Sequence, residues 1–226
     1  MVNGISMDAI MEYFIDYLQF LVDFGKSPVN CLQSYNNNNQ TKINKKLGIF
    51  LSLAVVVSFL ISVIASALGV VIEDEGFIAT TIKSIEPHYL PFVLPLIILT
   101  AAVVFHLVAR IYILIEPIGV PQNKRVEWGT IWDTINAFFA FAAFYIPLCI
   151  TILFFILVPL AQFGLNWLFI GISSVILNLL FVYYFVKAIT AFHTNISFWQ
   201  AFFVLCGGTV VLYYLVSGIG YLVRLL

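Results

Sequence analysis

Within VVFHLVARIYILIEP, Val103 to Pro117, apolar residues surround two that can do chemistry, His106 and Arg110. Four residues apart, they share one face of a helix. A histidine can carry a proton, and a guanidinium can hold a carboxylate or a phosphate. Glu116 closes the same stretch, Asp133 and Asn136 lead into a second apolar run, and Lys187 ends a third. Brought to one depth, His106, Arg110, Glu116, Asp133, Asn136 and Lys187 form a polar cluster for a lipid headgroup or a partner loop. Arg110 pairs there with Asp133 or with lipid phosphate. The plainer reading makes Arg110 an interfacial anchor that snorkels to headgroups. His106 then lies one turn, about 6 Å, deeper and stays neutral.

Other chemistry has less to work with. His88, His106 and His193 are the three histidines, and no His/Cys/Asp set converges in the sequence. No serine stands in a nucleophile elbow and no phosphate loop is present. The cysteines Cys31, Cys149 and Cys206 lack metal-ligand spacing. The chain is therefore expected to be no enzyme, with neither cofactor nor metal. Asn178, near the middle of an apolar run, is expected to hydrogen-bond a neighbouring helix, a substrate contact being the alternative.

The elements that must position these residues follow from composition. Hydrophobic residues make up 62% of the chain and charged ones 9%. A soluble fold could not cover so much apolar surface with so little charge. An all-α polytopic membrane protein is expected, with five spans near 47–72, 89–115, 137–160, 167–186 and 198–223. Asp8, Glu12 and Asp16 rule against a cleavable signal at the N-terminus. With these spans, eight of the ten Lys and Arg residues fall on one side: Lys26, Lys42, Lys45, Lys46, Arg110, Lys124, Arg125 and Lys187. Lys83 and Arg224 fall on the other. The N-terminus is thus expected in the cytoplasm and the C-terminus outside. Both glycosylation sequons, at Asn39 and Asn195, then lie inside and stay unmodified.

Residues 1–46 form a cytoplasmic region ahead of the transmembrane domain, 47–226. In MDAIMEYFIDYLQFLVDF, Met7 to Phe24, the residues Asp8, Glu12, Asp16, Gln19 and Asp23 fall in a stripe of about 80° on a helix, with apolar residues elsewhere. This acidic amphipathic helix must bury its apolar arc on lipid, on the bundle or on a partner, with Phe14, Leu18 and Leu21 as candidate docking residues. Gly25 is expected to stop it, and Ser27-Pro28 to start a second short helix. The polar run QSYNNNNQTKINKK reads as a linker. Small residues, Ser62, Ala65, Ser66, Gly69 and Cys206-Gly207-Gly208, mark close helix contacts. Trp128, Trp132, Trp167 and Trp199 are placed at helix ends, as an interfacial belt requires.

The organisation resembles the YIP family, the Ypt/Rab-interacting membrane proteins. VEWGTIWDTINAFFAFAAFYIP, Val126 to Pro147, is similar to that family's Gly-containing lead into a third helix with a Tyr-x-Pro. VKAITAFHTNISFWQAFFVLCGG, Val186 to Gly208, is similar to the polar turn before its last helix. The resemblance implies five helices, a cytoplasmic N-terminus and a non-enzymatic role in organising membranes or binding membrane partners. The Asp-x-x-Gly-Pro-type stretch of eukaryotic members is missing and their long N-terminal region is shortened. The resemblance therefore implies a prokaryotic-type relative in an inner (plasma) membrane. Expected partners are the lipid bilayer and another membrane protein or a second copy. With a net charge of −1 and no basic run, nucleic acid is not expected. Two alternatives stay open, a small-molecule or ion permease with its path near His106, Arg110 and Asn178, and an accessory subunit of a larger membrane complex.

Overall fold

The computed structural model describes residues 7–35, 42–68, 90–115, 128–157, 159, 167–193 and 196–225. Its helices are α1 (Met7–Lys26), α2 (Pro28–Gln33), α3 (Lys45–Ala67), α4 (Leu90–Ile115), α5 (Ile131–Ile152), α6 (Trp167–Phe192) and α7 (Phe198–Leu225). A π-helical segment, Leu153–Leu157, continues α5. Helices α3 to α7 are each long and apolar enough to cross a membrane. The chain is an all-helical, multi-pass integral membrane protein, and no strand occurs among the described residues.

Helix α5 is the hub and packs against α3, α4 and α6, while α7 packs mainly on α4. The residues from Thr134 to Phe144 are buried without interruption. Where α4, α5 and α6 meet, the core is aromatic. Phe105 and Phe185 meet Phe138 edge-on at 5.1 and 5.0 Å, and Phe141 meets Phe181 and Phe185 at 5.0 and 5.3 Å. Tyr145 donates its hydroxyl to the Leu177 carbonyl at 2.9 Å, tying α5 to α6. Gly208 lets α7 approach α4, since a Cβ there would stand 2.8 Å from the Phe105 ring. Of the small residues read as close contacts, Ala65 is buried, Gly207 faces Val108, and Cys206 is exposed. The side chain of Ser66, and Gly69, lie outside the described residues.

Helix boundaries differ from the sequence reading for physical reasons. Helix α5 starts at Ile131, six residues before the span at 137, because Thr130 and Asp133 close a capping box. The Thr130 N–H donates to Asp133 Oδ2 at 2.7 Å, and the Asp133 N–H donates to Thr130 Oγ1 at 3.3 Å. Helix α6 runs to Phe192, past the expected end at 186. Gly25 does not stop α1, which continues to Lys26. The stop falls at Ser27, whose non-helical backbone, φ −152° and ψ 86°, precedes Pro28 at the start of α2.

Helix α1 is docked on the bundle by residues other than Phe14 and Leu18. Tyr17, Phe20 and Phe24 are fully buried, against Phe50 of α3, Phe144 of α5 and Tyr184 of α6. Tyr17 donates its hydroxyl to the Ala143 carbonyl at 2.8 Å, and Tyr184 donates to the Gly25 carbonyl at 2.9 Å. Asp16 pairs with Lys46 at 2.8 Å. Leu21 packs on the core edge, whereas Phe14 is 36% and Leu18 46% exposed. The sequence showed a wide apolar arc, and which third of it meets protein depends on where Phe50, Phe144 and Tyr184 stand.

Candidate functional site

The polar residues of α4, α5 and α6 converge on one hydroxyl. His106 is buried on α4 because it sits one turn from Arg110 on the face that meets α5. Its Nδ1 lies 3.1 Å from Thr134 Oγ1 on α5. His193, just past the end of α6, places Nε2 3.4 Å from the same oxygen. Trp128, in the lead into α5, donates its indole N–H to it at 3.3 Å. The Trp128 and His193 rings stack with centroids 4.5 Å apart.

The donors fix the protons. Arg110 donates from Nε to His106 Nε2 at 3.3 Å, and a guanidinium cannot accept. His106 is thereby assigned as the tautomer with its proton on Nδ1, pointing at Thr134. The Gly129 backbone N–H donates to His193 Nδ1 at 2.9 Å, so that proton sits on Nε2 and also points at Thr134. Three N–H groups then share an oxygen with two lone pairs, and His193, at 3.4 Å, is the longest of the three contacts. Burial, with His106 and Arg110 nearby, pushes the His193 pKa down to about 3.

Gly129 is required at the centre. Its carbonyl accepts from the Arg110 guanidinium at 3.2 Å while its N–H serves His193. A Cβ there would stand 2.6 Å from Asp133 Oδ2 and 2.9 Å from His193 Nδ1. Only a residue without a side chain fits between the two.

Of the six cluster residues named from sequence, His106 and Arg110 meet directly. The expected Arg110–Asp133 ion pair does not form, because Asp133 is turned back to cap its own helix while Arg110 reaches the Gly129 carbonyl. Asn136 is fully buried in a separate node, accepting the Asn44 backbone N–H at 2.9 Å and so tying the start of α3 to α5. Lys187 sits apart, its Nζ 5.9 Å above the Tyr183 ring. Glu116 lies outside the described residues, as do His88, both sequon asparagines and the acidic loop with Glu73, Asp74, Glu75 and Glu86. Asn178 is exposed and donates to the Ser174 carbonyl of its own helix at 2.8 Å, not to a neighbouring helix.

Thr134, His193, Trp128 and Gly129 were not among the residues singled out as a site. The signals were present. The capping pattern GTIWD fixes the start of α5 and hence the depth of Thr134. Trp128 belongs to this knot, where its N–H has a buried acceptor, and not to an interfacial belt. Chemically, both imidazoles present N–H to Thr134, so neither can take the hydroxyl proton as a base. Their other nitrogens already accept, one from a cation, which leaves no lone pair free for a metal. Cys31, in α2, has its thiol pushed up to about 11 by burial and by Asp23, which keeps it from acting as a thiolate.

Comparison of the chain with protein-family models, with curated proteins and with solved structures finds no match.

Proposed function

We propose that the chain is a non-enzymatic membrane protein that binds other membrane proteins or organises the bilayer, with the α1–α2 unit on the cytoplasmic side. The observation that carries this reading is the way polar groups are spent. Among the described residues, the place where histidines, a hydroxyl and an arginine meet is locked as hydrogen-bond donors around Thr134, and holds α4, the lead into α5 and the end of α6 in register. That arrangement serves rigidity and offers no free base. The resemblance to the YIP family supports the same reading, as does the eight-to-two division of Lys and Arg for the orientation.

A permease path through His106, Arg110 and Asn178 has less support. Phe105, Phe138, Phe141, Phe181 and Phe185 fill the space between α4, α5 and α6, and Asn178 points away from it. The test is extraction in mild detergent followed by mass analysis of the intact assembly. A stoichiometric membrane-protein partner or tightly retained lipid supports the proposal. A bare homo-oligomer that carries solute across reconstituted vesicles overturns it.

A further inference from the structure

Helix α1 has three faces, and each has a different surrounding. At 100° per residue, Tyr17, Phe20, Leu21 and Phe24 span an arc of about 100° that meets the bundle. Asp8, Glu12, Asp16, Gln19 and Asp23 fall in a second arc, roughly 120° away. Part of that arc, with Lys26, Asn30 and Ser34, lines a groove of about 410 Å³ between α1 and α2. The third arc holds Met11, Phe14, Leu18 and Val22, all exposed. An exposed apolar face of this length needs an occupant.

We propose that this third face is immersed in the acyl chains of the inner leaflet, with α1 lying in the plane of the membrane against the bundle. Depth is the first argument. Along its length α1 touches Lys46, in the first turn of α3, and then Phe144 and Tyr184. Tyr184 stands eight residues, about 12 Å, inside the end of α6 at Phe192, and Phe144 thirteen residues, about 20 Å, inside the start of α5 at Ile131. Both contacts lie well inside the helix ends, level with the acyl chains and not with water. Continuity is the second. The same end of α3 is covered by α1, while from Val56 onward α3 exposes Phe59, Leu60 and Val63 in the manner of a lipid-facing span. The free face of α1 extends that apolar belt sideways. The third is polarity. The carboxylate stripe stands roughly 110° from the apolar face, and so faces water when the apolar face is down in the chains. A protein partner large enough to cover the apolar face would also lie against a stripe carrying four carboxylates, of which, among the described residues, Asp16 is ion-paired, to Lys46 of α3.

The inference rests on the chain spanning a membrane and not on which partner it binds. The experiment uses the full chain with Cys31, Cys149 and Cys206 replaced by serine, reconstituted in phosphatidylcholine vesicles. A nitroxide is attached at Leu18→Cys, at Glu12→Cys or at Leu179→Cys, and its relaxation is measured with oxygen, which enters the hydrocarbon, and with a water-soluble nickel chelate. Leu179 is an exposed residue of α6 and controls for the span itself. The expected result is high oxygen and low nickel accessibility at Leu18 and at Leu179, and the reverse at Glu12. Nickel access at Leu18 overturns the proposal, because α1 then lies above the membrane. Protection of Leu18 from both reagents also overturns it, in favour of a second copy covering the face. Nickel access at Leu179 would instead undo the membrane reading, and so separates the two failures.

Discussion

Replacing Thr134 by valine keeps its shape and removes the oxygen on which the polar knot turns. His106 Nδ1, Trp128 Nε1 and His193 Nε2, at 3.1, 3.3 and 3.4 Å, then have no acceptor. All three residues are buried, at 8%, 6% and 3% exposure, so water cannot simply replace the hydroxyl. An unsatisfied buried donor costs about 1–3 kcal/mol, but these three bonds are long and shared. We therefore expect Thr134→Val to lose about 2–4 kcal/mol in all. Thr134→Ser keeps the oxygen and removes a methyl group, for a loss of about 1 kcal/mol. The assay is reversible unfolding in mixed micelles titrated with a denaturing detergent, followed by circular dichroism, with both variants checked for native helix content first. If valine costs no more than serine, within about 0.5 kcal/mol, the three N–H groups do not depend on this oxygen and the tautomer assignment fails with it.

Further outcomes follow from the same contacts. Gly208→Ala, which drives a Cβ to 2.8 Å from the Phe105 ring, should destabilise by about 1–3 kcal/mol in the same titration, whereas Gly48→Ala, with nothing within 4 Å, should be neutral or stabilise by up to about 1 kcal/mol. Phe20→Ala should release α1 to protease at a cost of about 3–5 kcal/mol, while Leu18→Ala, on the face turned away from the bundle, should leave Tyr17, Phe20 and Phe24 docked and the released fragment absent. Arg110→Leu and Asp133→Asn should be additive within about 0.5 kcal/mol, because the two are not paired, whereas Arg110→Leu and His106→Gln should couple. His193 is neutral when folded and regains its ordinary pKa when unfolded. The unfolded state then binds the extra proton, and stability falls as pH drops below 6.5, continuing towards about 3. Between pH 7.5 and 5 the loss is on the order of 2 kcal/mol, and His193→Gln should flatten that slope.

Much of the architecture was legible because the bilayer is a demanding solvent. Five apolar runs of spanning length have few other fates, and the Ser27-Pro28 start of α2 needs only local backbone chemistry. The candidate site was half legible. The four-residue spacing of His106 and Arg110 on α4 predicted their shared face, and they do bond. Where that face points is a tertiary matter. Thr134 and His193 lie 28 and 87 residues away from His106 in sequence, and no periodicity brings them together. Asp133 misled for a local reason: a carboxylate three residues after Thr130 is held by its own helix start, which removes it from Arg110. Which part of α1 meets the bundle was hidden for a similar reason. Its apolar arc is too wide to be covered by one surface, and the sequence of α1 alone does not say that the aromatic part meets the bundle.

The proposed topology has five crossings with the α1–α2 unit inside. Single cysteines at Asn38 and Glu75, in the background lacking the three native cysteines, test it most directly when a membrane-impermeant maleimide is applied to intact cells and then to permeabilised ones. Glu75→Cys should be labelled from outside and Asn38→Cys only after permeabilisation. Labelling of Asn38→Cys from outside, with Glu75→Cys protected until permeabilisation, would contradict it and invert the molecule.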